Sequence, residues 1–166
     1  MAIHATARSE YAIRRLVIWA KALTLSGAPT VAHVDEDGRA AETGPWVRLT
    51  FDELEGRPMG RFSATQTAIR LGLLMTCDVM WPHPGSTTDT AIRPNRIVAD
   101  ELREALQFLR LDFTDYTTPA SQATVTDAPI TCVRVDSRRV ADSQGFRRHQ
   151  VRGYVRWVGR FDDHFA

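Results

Sequence analysis

The sequence predicts a mixed α/β fold of the α+β type, in which two main helices pack on one face of a mainly antiparallel sheet. The strongest sign is a long alternating stripe, which is typical of a strand with one buried face and one solvent-facing side. Its apolar members occupy every second position: Ile69, Leu71, Leu73, Met75, Cys77, Val79 and Trp81. Two segments with helical spacing and a second alternating stretch complete the pattern. The chain of 166 residues suits a single domain, 1–166.

The first helix is predicted over residues 9–25, where apolar side chains recur at helical spacing. Ser9 or Thr6 is the expected cap of its N-terminus. A short strand follows at residues 30–34, and then an acidic loop with glycines at 35–44. This loop lacks the ligand spacing of a calcium-binding loop, so we do not expect a calcium site there.

A second strand is predicted at residues 46–53, as an antiparallel neighbour of the long stripe. The long strand itself starts near Phe62 at the earliest. The connection between the two strands is expected to be a loop, since it contains Gly56, Pro58 and Gly60. After the stripe, residues 82–92 form a loop rich in proline, glycine and threonine.

The second main helix is predicted over residues 95–109, with Asn95 as its N-cap. Its expected apolar face consists of Ile97, Val98, Leu102, Ala105, Leu106 and Leu109. Residues 111–128 look like a polar connector. The remaining strands are predicted at 130–135 and 150–161, with a charged loop or hairpin extension between them at 136–149.

Composition is that of an ordinary folded protein, with 43% apolar and 25% charged residues. The first residues lack the features of a signal peptide, and no apolar run is long enough for a membrane span, so folding in the cytoplasm is expected. Cys77 and Cys132 both fall at apolar strand positions, which predicts two buried thiols rather than a disulfide.

No motif in the chain predicts catalysis or a cofactor. The five histidines are scattered, and neither HExxH nor CxxC is present, so we expect no metal site. The chain also lacks a GxSxG nucleophile elbow, a Walker loop and a dinucleotide-binding GxGxxG motif. The sequence therefore predicts a protein that is not an enzyme.

Charge is distributed unevenly, although the net charge is only +1. Residues 133–160 contain eight arginines and two acids, so the rest of the chain is net acidic. Tyr154 lies between Arg152 and Arg156 on one strand face, which suits stacking and phosphate contact. The same arginines could instead form a subunit interface with acids of another copy, or a plain solvated sheet face. These three interpretations stay open, and the candidate residues are Arg138, Arg139, Arg147, Arg148, Arg152 and Arg156.

The order of the elements resembles a known family. An N-terminal helix precedes the strand Trp46-Val47-Arg48-Leu49-Thr50-Phe51, and the long strand containing Arg70-Leu71-Gly72-Leu73-Leu74-Met75 follows. A loop leads to the helix with Val98-Ala99-Asp100-Glu101-Leu102, and Gly153-Tyr154-Val155-Arg156-Trp157-Val158 closes the domain. Over most of its length the chain resembles the tail terminator (tail completion) proteins of long-tailed bacteriophages and gene transfer agents.

The resemblance implies a structural virion protein at the tail–neck junction, assembled in the host cytoplasm. Six subunits would form a homohexameric ring that caps the tail tube, ends tail polymerisation and forms the tail side of the head–tail joint. Its partners would be itself, the tail tube protein and the head–tail connector, with DNA passing through the channel without sequence-specific binding. Catalysis and cofactors are not implied. Another neck component, such as a connector or stopper, and a small nucleic-acid-binding module are the alternatives.

Overall fold

The computed structural model describes residues 4–33, 44–82, 93–143 and 145–162. It shows an α+β fold with a curled six-stranded sheet and two helices. The helices are α1 (Ser9–Lys21) and α2 (Pro94–Gln107), preceded by a 3₁₀ turn at Ala5–Ala7. The strands are β1 (Thr30–His33), β2 (Trp46–Arg61), β3 (Gln66–Pro82), β4 (Arg110–Asp115), β5 (Ala123–Ser143) and β6 (Phe146–Asp162). Their order in the sheet is β1-β2-β3-β6-β5-β4, and only the β1–β2 pair is parallel.

The alternating stripe forms β3, which lies at the centre of the sheet between β2 and β6. Its apolar positions point into the core as predicted: Leu73, Met75, Cys77 and Val79 are fully buried. The opposite side was expected to face solvent, and there the prediction is wrong in part. Thr76 and Asp78 are buried on the side of the sheet opposite the described helices, and long side chains from the neighbouring strands contact Asp78.

Both helices pack on the same face of the sheet, as the sequence predicts. One hydrophobic core joins this face to buried residues of α1 and α2, among them Leu16, Ala20, Val98, Leu102 and Leu106. We call the opposite side of the sheet the open face. Residues paired directly across neighbouring strands share a face, so the register assigns every strand residue to one side or the other.

The predicted start of α1 at residue 9 is confirmed, but its end and its cap need correction. The helix ends at Lys21 rather than at residue 25, and its N-cap is Arg8, which makes no side-chain capping bond. The Ser9 hydroxyl instead donates to the carboxylate of Glu53 on β2. Thr6 is buried in the 3₁₀ turn, where its carbonyl accepts a 2.8 Å bond from the indole Nε1 of Trp157. Both candidate caps therefore tie the N-terminus to the sheet.

The start of α2 also differs from the prediction. Arg93 is the N-cap and makes no side-chain capping bond, Pro94 opens the helix, and Asn95 is buried within the first turn. Ile97 is 39% exposed and does not join the apolar face, whereas Ala99 is fully buried. The buried side of the helix thus includes Asn95 and Ala99 in place of Ile97.

Strand β2 continues far beyond its predicted end at residue 53 and pairs with β3 as far as Arg61. The predicted connection through Gly56, Pro58 and Gly60 is therefore wrong. The ladder absorbs these residues at two register shifts, which are the irregularities that glycine and proline favour within strands. Every residue from 52 to 65 is exposed. We call these residues, 52–65, the exposed ribbon; they comprise the second part of β2 and the turn that follows it.

The polar connector predicted at residues 111–128 is wrong as well. It contains β4 and the first part of β5, with Phe113 fully buried between polar neighbours. Strand β5 runs on without interruption, and the charged segment at 136–149 is a hairpin extension of β5 and β6, one of the two predicted alternatives. Val151, Gly153, Val155 and Trp157 are buried, as the alternation of the last strand predicts.

Two further predictions concern the thiols and the turns. Cys77 is buried and reduced as expected, whereas Cys132 is reduced but only half-buried. Gly27 follows α1 with φ of +72°, and a Cβ there would lie 2.7 Å from the Trp81 ring. Glycine is thus required at this position by both the backbone conformation and the packing.

The predicted loops at 35–44 and 82–92 fall almost wholly outside the described residues. None of the described helices is long and apolar enough to cross a membrane.

Candidate functional site

The six candidate arginines divide between the two sides of the sheet. Arg148, Arg152 and Arg156 lie at even positions of β6, and the register pairs them with open-face residues of β3. Arg139 pairs with His149, and both belong to the helix side together with Arg147. Adjacent positions on a strand point in opposite directions, so Arg138 and Arg139 do not act together. The guanidinium of Arg138 lies on the open face and donates to Gln150 Oε1 at 2.9 and 3.1 Å.

At the centre of the open face lies a buried carboxylate, that of Asp78, which is 4% exposed. It accepts hydrogen bonds from Arg48 Nη2 at 3.2 Å, Arg148 Nη2 at 3.5 Å and Gln150 Nε2 at 3.0 Å. The donors come from β2 and β6 on either side of β3, so the carboxylate connects three strands. Arg138 extends the network to β5 through Gln150. A buried charge of this kind is stable only with such partners.

Positive charge on the open face exceeds what its acids can pair. The Nε atoms of Arg48, Arg148 and Arg152 are buried, and each lacks a hydrogen-bond partner within the described part of the chain. Arg134 is paired with Asp136 at 3.1 Å and stacks over the Tyr154 ring at 5.4 Å. A buried donor without an acceptor costs about 1–3 kcal/mol. The arginines of this face can therefore donate hydrogen bonds to oxygen atoms of another molecule.

Tyr154 lies between Arg152 and Arg156 on the open face, as predicted from the alternation. Its ring is half-buried beneath the Arg134 side chain. Arg156 is exposed and lines a shallow depression with Leu54 and Val133, away from the Asp78 network. The proposed Arg152–Tyr154–Arg156 stacking surface is thus shared with Arg134, a residue that the sequence analysis did not single out.

A second basic site lies on the helix side, where the start of α2 meets the β5–β6 hairpin. A cavity of about 280 Å³ is lined there by Arg93, Asn95, Arg96, Ser137, Arg138, Arg139, Asp142, Arg147 and His149. We call it the arginine pocket. Five of its nine lining residues are arginines and one is an acid, but the guanidinium of Arg138 lies on the open face, where it donates to Gln150. One ion pair within it is the long contact of 3.8 Å between Arg139 and Asp142.

His149 forms the floor of this pocket together with Ser137. The Ser137 hydroxyl and His149 Nε2 lie 2.9 Å apart. Burial lowers the pKa of His149, and the nearby guanidinium groups of Arg96 and Arg103 lower it further, against the opposing effect of Asp100. The imidazole is therefore neutral at pH 7, and the positive charge of the pocket comes from its arginines.

Exposed apolar side chains are spread over several surfaces, including the depression beside Arg156 on the open face. They are Ile18, Leu54, Met59, Phe62, Ile97, Phe108 and Val133, and Phe108 is the most exposed at 76%. Three of them belong to the exposed ribbon, where the guanidinium of Arg160 lies 3.9 Å from the Phe62 ring centroid. Apolar groups at such positions are typical of surfaces that contact other protein chains.

The described residues were also compared with the requirements of a reactive thiol and of a metal site. Burial raises the pKa of the Cys77 thiol to about 12, which makes it inert as a nucleophile at neutral pH. Within the described ranges, no three His, Cys, Asp or Glu side chains are grouped so as to hold a metal ion.

Sequence reasoning missed several residues of both sites. The patterns mark Arg48 and Asp78 only as strand residues, Asn95 only as a cap and Arg96 only as a helix residue, and they do not single out Arg93. For Asp78 a signal was present, since it interrupts a strongly apolar segment from Leu71 to Trp81. The partnership of Arg93 and Arg96 with the β5–β6 hairpin had no signal, because about 40 residues separate them in sequence.

Comparison with known proteins leaves the chain without an assigned relative. No protein-family model matches it, and no curated protein matches it significantly.

Proposed function

We propose that this protein is a tail terminator, a structural subunit that assembles as a homohexameric ring on the end of a phage tail tube. The observation that carries the proposal is the open face, where Arg48, Arg148 and Arg152 each have a buried Nε atom without a hydrogen-bond acceptor among the described residues. Acceptors supplied by a second copy would satisfy these donors. In this role the protein has no catalytic function and needs no cofactor.

Charge and position on the sheet support head-to-tail contacts between copies. The exposed ribbon begins with the acidic residues Asp52, Glu53 and Glu55 on β2. Glu53 pairs with Leu73 of β3, and Arg148 pairs with Met80 of the same strand. Seven residues of β3 therefore separate the positions of Glu53 and Arg148 along the sheet. That offset corresponds to about 23 Å along the strand. The acids of β2 and Arg148 therefore lie at different positions along the sheet, and contacts between two unlike surfaces form rings when the rotation between copies closes.

The ring would cap the tail tube, stop its polymerisation and present its other surface to the head–tail connector. The exposed ribbon is the proposed contact with the tube protein, because it combines backbone edges with the apolar side chains Leu54, Met59 and Phe62. DNA would pass through the channel without sequence-specific contacts. The virion, at the tail–neck junction, is the proposed location.

Native mass spectrometry, with and without purified tail tubes, tests the proposal directly. The expected species is a hexamer of the 18.6 kDa chain, formed in solution or on the tube end. Arg152→Ala should weaken this assembly without loss of folding, whereas Arg110→Ala, an exposed arginine on the edge strand β4, should leave it unchanged. A chain that stays monomeric even with tail tubes present would contradict the proposal.

Two other functions would be recognised by their partners. A connector or stopper would bind DNA-filled heads rather than preformed tail tubes. A small nucleic-acid-binding module would use the open face, where the Nε of Arg152 has no partner among the described residues and Tyr154 follows two positions later on the same side of β6. Such a module would bind DNA at low salt and lose this binding in Arg152→Ala, whereas a ring subunit would show no salt-dependent DNA binding as a monomer.

A further inference from the structure

We propose that the arginine pocket is a binding site for a phosphate group, a role that goes beyond ring assembly and does not depend on it. The cavity unites two elements distant in sequence, the first turn of α2 and the β5–β6 hairpin. Its volume of about 280 Å³ is slightly below the roughly 300–1,000 Å³ of pockets for drug-sized ligands, which suits a small anion.

The positive charges in the pocket lie at positions where they destabilise the protein without a bound ligand. Arg93 is the N-cap of α2, Arg96 lies in its first turn, and this turn contains no acidic residue. Positive side chains at the positive end of a helix dipole are unfavourable, and negative groups there are favourable. Arg139 adds a third guanidinium from β5. Such an arrangement gains stability when an anion with several oxygens binds between the guanidinium groups.

Asn95 supplies a second and independent observation. Its side chain lines the pocket and is only 6% exposed, yet its Oδ1 has no hydrogen-bond partner among the described residues. Rotation of the amide by 180° exchanges Oδ1 and Nδ2, so the same position can donate to an oxyanion. A buried amide without a partner is costly unless a ligand completes its hydrogen bonds.

The chemistry favours phosphate over a lone carboxylate. Guanidinium groups bind phosphate oxygens in pairs, and phosphate offers enough oxygens for Arg93, Arg96 and Arg139 together with the Ser137 hydroxyl. Two sources present this group, namely free phosphate and the backbone of a nucleic acid. Both would make the same contacts within the pocket.

Isothermal titration calorimetry and thermal unfolding with inorganic phosphate, against sodium chloride at equal ionic strength, test the site. Phosphate should raise the melting temperature of the wild-type protein by more than chloride does. Arg96→Ala and Arg139→Ala should each weaken phosphate binding about tenfold or more, the equivalent of ~1.4 kcal/mol. Arg110→Ala, which removes one exposed arginine outside the pocket, should bind phosphate like the wild type.

Asn95→Asp separates loss of the site from loss of folding. The new carboxylate would lie in the first turn of α2, where negative charge is favourable, and would occupy the pocket in place of phosphate. This variant should be at least as stable as the wild type without phosphate and should lose the stabilisation by phosphate. Equal stabilisation by phosphate and chloride in the wild type, or a full phosphate effect in Asn95→Asp, would overturn the proposal.

A short single-stranded or double-stranded DNA added to the phosphate titration identifies the source. Competition between DNA and inorganic phosphate for the wild-type protein, absent in Asn95→Asp, would assign the pocket to the nucleic-acid backbone. An unchanged phosphate affinity in the presence of DNA would assign it to free phosphate.

Discussion

Replacing Asp78 by alanine should destabilise the fold by about 2–4 kcal/mol, although the residue lies on the sheet face without helices. Its carboxylate is 4% exposed and accepts three hydrogen bonds, two of them from arginines. Bonds to charged groups contribute about 1.5–3 kcal/mol each. The sum is discounted because the Arg48 side chain is 35% exposed and the Arg148 contact is long at 3.5 Å.

Urea denaturation followed by circular dichroism measures this loss, and thermal unfolding should show a decrease of about 5–12 °C in Tm. Asp78→Asn retains the shape and one acceptor, so about half of the loss is expected. Asp112→Ala, an exposed carboxylate on β4, is the matched control and should remain within about 0.5 kcal/mol of the wild type. An Asp78→Ala protein as stable as the wild type would refute the view that the carboxylate connects the three strands.

Four further outcomes are expected. Leu73→Asp should yield unfolded or insoluble protein, since this fully buried residue lies in the central strand; a soluble variant with an unchanged Tm would remove β3 from the core. Arg138→Ala and Arg139→Ala should both fold, with ring assembly by native mass spectrometry weakened only by the first and phosphate affinity by calorimetry only by the second; identical effects would mean that the two faces are not separate. Cys77 should resist alkylation in the native protein, while half-buried Cys132 reacts first, as mass spectrometry of the labelled peptides would show. Unfolding free energy should fall as pH rises above 9, because the unfolded chain releases the Cys77 proton near 9.0 and the folded chain retains it up to about 12; Cys77→Ala should reduce this fall, and an unchanged slope would exclude the thiol as its cause.

Regular alternation made the centre of the fold predictable. The stripe through Leu73 and Cys77 predicted β3, and the pattern through Val151 and Val155 predicted β6, because one face of each strand packs against the helices. The strand β4 could not be predicted in the same way. Only Leu111 and Phe113 mark it, and two apolar positions do not establish a period.

Residues that usually mark loops or helix caps gave wrong predictions where tertiary contacts determine the local structure. Gly56 and Pro58 ordinarily interrupt strands, but in the exposed ribbon the ladder shifts its register around them. Asn95 is a favoured N-cap residue, yet it is buried in the first turn of α2 beside the β5–β6 hairpin. The arginine-rich third was recognised as a whole, but its division into an open face and a pocket depends on strand register, which composition does not reveal.

The pairing of β3 with β6 has a mechanical consequence. Its register runs through 17 consecutive pairs without a shift, whereas the β2–β3 and β5–β6 ladders each contain two. This uninterrupted ladder has a contour length of ~53 Å. The β3–β6 pair is therefore the stiffest part of the sheet, while the irregular ladders on either side of it can bend. A displacement of the exposed ribbon by a partner would be transmitted along the β3–β6 pair to the β5–β6 hairpin. The two ends of the subunit would then move together as a rigid body.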